Sequence, residues 1–275
     1  MFNMNINFKF LLCGAAFCFV PQAAVAQCAV TDCQQLGYTS LKPCTGGLKC
    51  PFGEYWACPK VEEKAVLGEC TGYAQNCKIA DILNSDGTCS NDKVSGKTPI
   101  GVVVYISGGN CGQAMTVNPI ENHSGISAWG NEYVDTGVMQ SDNWQIIIKD
   151  YDSCGNTRKI TQAGDSSKYP AAWMAVSYAP VSVPETKGKW CLPAAGVWNS
   201  VYNNLNSVNI AISKMGGRQL VNDNEHIWSS SEYLKNYAWQ FCTDKSDASS
   251  ISSREGGISW SRKGNSGYVR PVIAF

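Results

Sequence analysis

The residues that could perform nucleophilic or acid–base chemistry lie in one short stretch. His226 follows Glu225 and precedes the run Ser229–Ser231, and these are the residue types of a serine-hydrolase triad. Such a triad needs a geometry that closeness in sequence does not supply, and the sequence contains no Gly-x-Ser-x-Gly turn. The other histidine, His123, lies in a predicted loop, and Gly216-Gly217 follows a predicted helix instead of preceding one as a phosphate-binding loop would. We therefore expect no enzymatic activity.

Metal binding is the second kind of chemistry to consider. The chain has 14 cysteines and 2 histidines, but no Cys-x-x-Cys pair of the kind that holds zinc occurs. The acidic and amide cluster of residues 222–225 (Asn-Asp-Asn-Glu) could either hold a cation or form an exposed turn. We expect the turn, and so neither a metal nor another cofactor.

The first residues predict export. A weakly basic start is followed by an apolar run at residues 10–20, which is too short to cross a bilayer as a helix. Ala24-Val25-Ala26 then gives the small-x-small pattern of a cleavage site. We predict a signal peptide at residues 1–26, with no transmembrane segment after cleavage; a membrane anchor is the alternative. The mature chain is expected outside the cell, on its surface or in the periplasm.

Cysteine usage agrees with export. Cys13 and Cys18 lie in the predicted signal, which leaves an even set of the kind that pairs into disulfides in oxidising compartments. Eight of them fall between Cys28 and Cys89, where apolar periodicity is nearly absent. We predict a disulfide-stabilised module at residues 27–90, which serves either as a small binding or spacer module or as a protease-resistant stalk.

Charge excludes one class of partner. The formal net charge is zero, and only 16% of the residues are charged, so no strong field would draw the chain to nucleic acid or anionic lipid. The many glycines, serines and asparagines are typical of a β- and loop-rich extracellular protein. We expect no nucleic-acid partner.

The rest of the chain reads as one domain. Residues 91–98 are polar and predict a linker, and residues 99–275 carry alternating strand and helix signals. In the first half we predict strands at residues 99–106, 113–117 and 144–148, and either a strand or a short helix at residues 172–176. Long polar loops between these elements suggest that the loops carry function.

The second half contains the clearest periodicity. Apolar residues from Val197 to Met215 recur every three or four positions and predict one face of a helix, with Asn206 as a candidate break. Alternating aromatic residues predict a strand at 237–242, and further strands are predicted at 258–260 and 268–275. Pro271 cannot donate to a ladder, so the last strand should be an edge there or contain a bulge.

The segment 229–268 is the predicted binding surface. It is rich in Ser, Asn, Tyr, Arg and Lys between Trp228 and Tyr268, and tyrosine with small polar residues makes an adaptable contact surface. An ordinary hydrophilic surface is the alternative for each residue. The candidate ligand contacts are Tyr233, Lys235, Asn236, Gln240, Thr243, Lys245, Arg254, Arg262, Lys263 and Asn265. We expect the partner to be an extracellular glycan or protein.

Several C-terminal motifs resemble a bacterial family. They are Trp190-Cys-Leu-Pro-Ala-Ala-Gly196, Tyr202-Asn-Asn-Leu-Asn206, Trp228-Ser-Ser-Ser-Glu-Tyr233 and Tyr268-Val-Arg-Pro-Val-Ile-Ala-Phe275. They are similar to the DUF1566 domain, also called the Lcl C-terminal domain, and residues 99–176 match it more loosely. The resemblance implies an α+β, C-type-lectin-like fold with mainly antiparallel strands and one or two helices. It also implies pairing of strands 99–106 and 268–275, and adhesion at the bacterial surface.

The chain departs from related families in two ways. The Glu-Pro-Asn, Gln-Pro-Asp and Trp-Asn-Asp motifs of calcium-dependent lectins are missing. The related formylglycine-generating enzyme has a cysteine pair near its end, whereas Cys242 is the only cysteine after Cys191 here. We predict a Cys191–Cys242 disulfide. Two alternatives to adhesion are open: a retroelement-diversified target protein, with variation in 229–268, and a structural cell-envelope protein without a ligand.

Overall fold

A computed structural model describes residues 43, 48–50, 56–57, 67–68, 70, 76–108, 111–120, 126–220, 226–242 and 257–275. The chain divides into two units, residues 1–62 and 63–275. In the first unit, strands β1 (Leu48–Lys49) and β2 (Trp56–Ala57) form an antiparallel pair. The predicted signal peptide and most of the predicted module at 27–90 lie outside the described residues.

The second unit contains a six-stranded antiparallel sheet. Its strands are β3 (Ile82–Asn84), β4 (Cys89–Ser90), β5 (Pro99–Ser107), β6 (Cys111–Met115), β8 (Trp190–Cys191) and β13 (Val272–Ala274). They lie in the order β4-β3-β5-β6-β13-β8. The β-branched run in β5 is fully buried, as its composition predicts. The predicted strands at 99–106 and 113–117 are thus confirmed as a hairpin, with small shifts at the ends.

Two predictions about this sheet are wrong. Strand β3 precedes the polar residues 91–98 and pairs with β5, which follows them, so residues 91–98 are a connection within one sheet and not a domain boundary. Strand β13 does not pair with β5 either, because β6 lies between them and bonds to both. The polar composition of 91–98 reflects its exposure as a loop.

A five-stranded sheet forms the other half of the unit. Its strands are β7 (Ile126–Ala128), β9 (Ile227–Leu234), β10 (Tyr237–Phe241), β11 (Ile258–Arg262) and β12 (Ser266–Tyr268). They lie in the order β11-β10-β9-β12-β7, and β9 and β12 are parallel neighbours. The alternating aromatic pattern of β10 and the short strand at β11 were predicted correctly.

The predicted last strand is divided between the two sheets. Residues 269–271 carry the chain from β12 to β13, and the Pro271 carbonyl accepts a hydrogen bond from the Thr116 amide at 3.0 Å. Arg270 is fully buried at this crossing and donates to the backbone carbonyls of Thr116 and Arg218 at 3.0 and 2.7 Å. Pro271 therefore interrupts the ladder where its missing N–H made a break expected.

Helices cover the space around the sheets. They are α1 (Trp144–Ile147), α2 (Ser153–Ala163), α3 (Pro170–Ser177), α4 (Ala195–Asn203) and α5 (Leu205–Lys214), with a 3-10 turn at Pro184–Thr186. The strand predicted at 144–148 is wrong, because the Asn143 side chain accepts from the Gln145 amide and caps a helical turn. Residues 172–176 take the helical alternative. No described helix is long and apolar enough to cross a membrane.

Helices α4 and α5 supply the predicted apolar face. Val197, Val201, Val208 and Ile212 are fully buried along it. The break falls at Asn204, two positions before the predicted one, and the Asn204 side chain donates to the Ser200 carbonyl at 2.9 Å. This face packs on the five-stranded sheet as well as on β5, so a single core joins the two sheets.

The Cys191–Cys242 disulfide is a wrong prediction. Cys191 in β8 pairs with Cys154 in α2, at a Cα–Cα distance of 5.0 Å, whereas Cys242 lies at the end of β10 in the other sheet. Packing of α2 on β8 decides the pairing, and sequence spacing does not reveal it. Cys77–Cys89 and Cys70–Cys111 are also paired. The fold is α+β, with mainly antiparallel sheets, a few helices and disulfides.

Candidate functional site

Two turns and one long loop meet at one end of the five-stranded sheet. The β9–β10 turn contains Lys235 and Asn236, and the Asn236 carbonyl accepts from the Lys263 amide in the β11–β12 turn at 3.0 Å. The loop of residues 129–141 lies against both turns, since the Tyr133 amide donates to the Lys235 carbonyl at 2.9 Å. We call the outer side of this junction the tip surface. It comprises Tyr133, Val134, Met139, Leu234, Lys235, Asn236, Tyr237 and Arg262.

Exposed apolar side chains are concentrated at the tip surface. Tyr133 is 71% exposed, and Val134, Met139 and Leu234 are 37–40% exposed. Exposed apolar residues scattered singly are ordinary, but a group of them marks a binding site. The backbones of these residues are joined through hydrogen bonds to β9 and the two turns, which brings the residues to the same end of the five-stranded sheet.

Tyr133 has an unusual backbone conformation. Its φ is 65°, in the left-handed region that bulky residues rarely adopt. Holding a non-glycine residue there costs roughly 1–3 kcal/mol, and such residues cluster at functional sites. The hydrogen bond to the Lys235 carbonyl fixes this conformation. The protein thus bears strain to present an aromatic ring to solvent.

A cluster of aromatic rings supports the tip surface from below. Tyr233 stacks on Trp260 with centroids 5.0 Å apart, and Tyr237 meets Trp260 edge-on at 5.0 Å. Trp239, directly opposite Trp260 in the β10–β11 register, contacts Tyr233 and continues into the core. Because the rings of β10 alternate with smaller residues, they form one face that runs from the core to the tip. Offset and edge-on pairs of this kind stabilise by about 0.5–1.5 kcal/mol each.

A buried ion pair lies beneath the tip surface. The Lys263 ammonium is 3.0 Å from Oε1 of Glu232, and both side chains are 0% exposed. Thr136 donates its hydroxyl to the same Oε1 at 2.7 Å, and the ammonium also donates to the Val134 carbonyl at 3.1 Å. Lys263 lies 4.5 Å from the centre of the Trp129 ring. The pair therefore connects β9, the β11–β12 turn and the loop 129–141.

Burial dominates the charge state of this pair. It raises the pKa of the Glu232 carboxyl, although Thr136 and Lys263 act in the opposite direction. It lowers the pKa of the Lys263 ammonium, against the effect of Glu232. Oε2 of Glu232 is buried without a hydrogen-bond partner among the described residues. The pair is therefore poorly solvated on both sides, and each charge depends on the other.

The predicted ligand contacts separate into three groups. Lys235, Asn236 and Arg262 belong to the tip surface, and the exposed Asn265 lies in the adjoining turn. The remaining members either are partly or fully buried or lie outside the described residues. Tyr233 is half-buried in the aromatic cluster, and Gln240 and Lys263 are buried; Thr243, Lys245 and Arg254 lie outside the described residues.

The structure changes the role of two predicted contacts. Gln240 is 4% exposed, and its side-chain amide donates to the Ser259 hydroxyl at 3.0 Å and lies 2.8 Å from Nδ1 of His226. Lys263 is fully buried in its ion pair. Both side chains are engaged internally and are not placed to contact a ligand. Lys263 lies beneath the tip surface, whereas Gln240 lies towards the opposite end of β10.

Sequence patterns offered little indication of the loop residues at the tip surface. Tyr133, Val134 and Met139 lie about a hundred positions before the strands they join, and hydrogen bonds to the backbone of β9, to the β9–β10 turn and to the Lys263 ammonium bring them there. The one available signal was an apolar Tyr-Val pair inside a long polar loop. That signal becomes meaningful once the exposure and the positive φ of Tyr133 are known.

The catalytic candidates are engaged in separate contacts. Ser231 donates to Oδ2 of Asp150 at 2.6 Å and accepts from the Ala195 amide, while His226 lies beside Gln240. These serine contacts are buried and join β9 to the starts of α2 and α4. Among the described residues no group of three His, Cys, Asp or Glu side chains could hold a metal ion. The predicted turn at 222–225 lies outside them.

Comparison with known proteins gives little further guidance. No protein-family model and no curated protein matches the chain. One similar solved structure is a fimbrial protein from Bacteroides ovatus ATCC 8483, with a TM-score of 0.45 and 14% sequence identity. The match covers 72% of this chain and 49% of that chain, so this chain spans about half of that protein's length. A likeness at this level assigns no function.

Proposed function

We propose that the chain is an exported binding protein that engages an extracellular protein ligand through the tip surface. The observation that carries this proposal is Tyr133, which is 71% exposed and held in a strained backbone conformation. Strain of this kind persists where the surrounding structure imposes it, and a ring exposed to solvent contributes little to the stability of the folded monomer. Contact with a partner would offset the cost of the strain.

The side chains of the tip surface favour a protein over a glycan. Tyrosine, methionine and arginine are enriched at protein interfaces, and Val134 and Leu234 add aliphatic area that hydroxyl-rich sugars use poorly. One face of the Tyr233 ring is stacked on one face of the Trp260 ring, so these two faces are not available to a sugar ring. Arg262 and Lys235 add polar contacts at the rim.

Export is supported by the cysteines. Cys77–Cys89 and Cys154–Cys191 are paired within the described residues, and such disulfides persist in oxidising compartments. The signal-peptide pattern agrees with this. We also propose a C-type-lectin-like domain, supported by the C-terminal motifs and by the two mainly antiparallel sheets.

The test is binding of purified residues 27–275 to arrays of extracellular proteins and of glycans. We expect saturable binding to a protein, weakened about tenfold or more by Leu234→Ser, because removing a buried interface anchor costs more than about 1.4 kcal/mol. Val181→Ser is the matched control, since Val181 is 100% exposed but lies outside the tip surface, and it should bind normally. Binding to glycans alone would contradict the ligand class. Binding that Leu234→Ser leaves unchanged would contradict the surface.

The two alternatives predict different observations. A retroelement-diversified target requires a reverse transcriptase gene nearby with a near-identical template repeat, and variation restricted to exposed positions of 229–268. If the chain is an envelope protein without a ligand, no binding is expected on either array. The buried state of Ser229–Glu232 and of Ala238–Phe241 limits where variation could be tolerated in that segment.

A further inference from the structure

A concave site lies in the other half of the second unit, away from the five-stranded sheet. It is a partly open cavity of about 410 Å³ between α2, the end of α3 and strand β8. Leu67, Val176 and Trp190 give it apolar walls, while Arg158, Lys189 and Thr161 give it polar ones. This volume is in the range of pockets that hold small molecules.

The walls of the cavity are fixed in place. The Cys154–Cys191 disulfide joins α2 to β8 and itself lines the cavity. The Thr157 hydroxyl accepts from the Leu192 amide at 2.9 Å, which gives a second link between the same two elements. When the shape of a cavity is set before binding, the surrounding side chains lose less conformational entropy as a ligand enters.

One cation of the cavity is held by close packing. The alkyl chain of Lys189 lies against Gly68, where a Cβ atom would come within 2.9 Å of the lysine Cβ and Cγ atoms. Gly68 is itself fixed by its amide, which donates to the Ala274 carbonyl at 2.7 Å. Lys189 is therefore half-buried and restricted, unlike an ordinary surface lysine.

The cationic groups of the cavity have no carboxylate partner in the described part of the chain. The ion pairs found there involve Lys97, Lys214 and Lys263, and neither Arg158 nor Lys189 is within 4.0 Å of a described carboxylate oxygen. Two cations at one concave site, neither of them paired with a described carboxylate, attract an anion. The guanidinium offers the paired donors that match a carboxylate.

We propose that this cavity binds a small organic anion, a carboxylate joined to a short apolar group, independently of the tip surface. The carboxylate lies between Arg158 and Lys189. The apolar group packs against Val176 and Leu67. Neither the predicted recognition segment nor the tip surface contributes a residue to this site.

The experiment follows amide NMR shifts of ¹⁵N-labelled residues 27–275 during titration with phenylacetate. We expect saturable shifts around Thr161 and Val176, and affinity reduced about tenfold in Arg158→Gln, because a charge-assisted hydrogen bond contributes about 1.5–3 kcal/mol. Lys189→Gln should act in the same direction. Lys159→Gln is the matched control, since Lys159 is exposed on the same helix without lining the cavity, and it should bind normally.

Two further ligands separate the parts of the proposal. Phenylacetamide, which has the same shape without charge, should bind at least about tenfold more weakly if the carboxylate is recognised. Inorganic phosphate should also bind more weakly, because it cannot use the apolar walls. Phosphate binding as tightly as phenylacetate, affinity unchanged in both Arg158→Gln and Lys189→Gln, or shifts that never saturate would each overturn the proposal.

Discussion

The two sheets of the second unit are held in different ways. All three disulfides between described residues reach the six-stranded sheet, at Cys89, Cys111 and Cys191. The five-stranded sheet is held instead by a ladder of aromatic rings and by the Glu232–Lys263 ion pair, which is fully buried. Disulfide bonds between described residues stabilise the six-stranded sheet, and packing and charge contacts stabilise the five-stranded sheet.

The six-stranded sheet is therefore stabilised by bonds that do not involve the tip surface, whereas the five-stranded sheet carries that surface. Covalent links limit the unfolded chain and do not respond to pH in the ordinary range. A buried ion pair costs desolvation, and removing one partner leaves the other charge buried without compensation. The tip surface lies above the pair, and its loop is fixed by the same two side chains through Thr136 and Val134. We therefore expect charge changes to disturb the tip surface first.

The largest effect is expected from breaking the ion pair. Lys263→Met leaves the Glu232 carboxylate buried without its partner, and should lower the free energy of unfolding by about 3–5 kcal/mol. Chemical denaturation would measure this loss. The double variant Glu232→Leu/Lys263→Met should recover most of it, since no isolated charge is then buried. A double variant as unstable as Lys263→Met alone would show that packing matters more than charge.

The next largest effect is expected from removing a disulfide of the six-stranded sheet. Replacing both Cys154 and Cys191 by alanine removes a link between residues 37 positions apart, and should cost about 3–4 kcal/mol in the free energy of unfolding. Ligand binding at the tip surface should be retained under folding conditions, because that surface belongs to the other sheet. Equal loss of tip binding in this variant and in Lys263→Met would contradict the separation.

A smaller effect of opposite sign is expected at Tyr133. Tyr133→Gly relieves the left-handed backbone strain, and should raise the free energy of unfolding by about 1 kcal/mol. The same variant should lose ligand binding. Thermal unfolding and array binding measured on one preparation would check both. Loss of stability together with unchanged binding would mean that Tyr133 serves the fold.

The smallest effect is expected from a change of pH that alters the protonation of Glu232. Since burial raises the pKa of Glu232 above 4.5, the folded protein takes up this proton at a higher pH than the unfolded chain does. The contribution of Glu232 is therefore complete below pH 4.5 and is lost as pH rises through the folded pKa. Lys263, Asp135 and Tyr169 are the charged or titratable groups that interact with it.

Glu232→Gln provides the reference for that measurement. The free energy of unfolding of the wild type, minus that of Glu232→Gln, should increase as pH falls towards 4.5. Other carboxyls titrate in both proteins and cancel in the difference. A difference that is flat, or that decreases on acidification, would contradict the raised pKa of Glu232.

Sequence patterns predicted the elements whose periodicity is strong. The β-branched run of β5, the alternating aromatics of β10 and the apolar face of α4 and α5 all appear where expected, because burial of one face dictates both pattern and structure. The strand predicted at 144–148 failed, since a short apolar run fits a helix as well as a strand. There the Asn143 cap decided the outcome.

Long-range contacts were harder to predict. The Cys154–Cys191 link depends on how α2 packs against β8, and other pairings of the same cysteines fit the composition as well. The tip surface depends on the loop 129–141 meeting two distant turns through backbone hydrogen bonds, which leave almost no trace in side-chain types. Three residues of the tip surface, Lys235, Asn236 and Arg262, were among the predicted contacts because polar residues flank aromatic strands in that segment.

Site-specific photo-crosslinking tests the central claim most directly. Benzoylphenylalanine would replace Leu234 at the tip surface in one protein and Ile210 in another; both native side chains are exposed, and Ile210 is more so at 59%. Each protein would be irradiated on the extracellular protein array. We predict a covalent adduct to the ligand from position 234 and none from position 210. Adducts from position 210 alone would contradict the claim that the tip surface is the binding site.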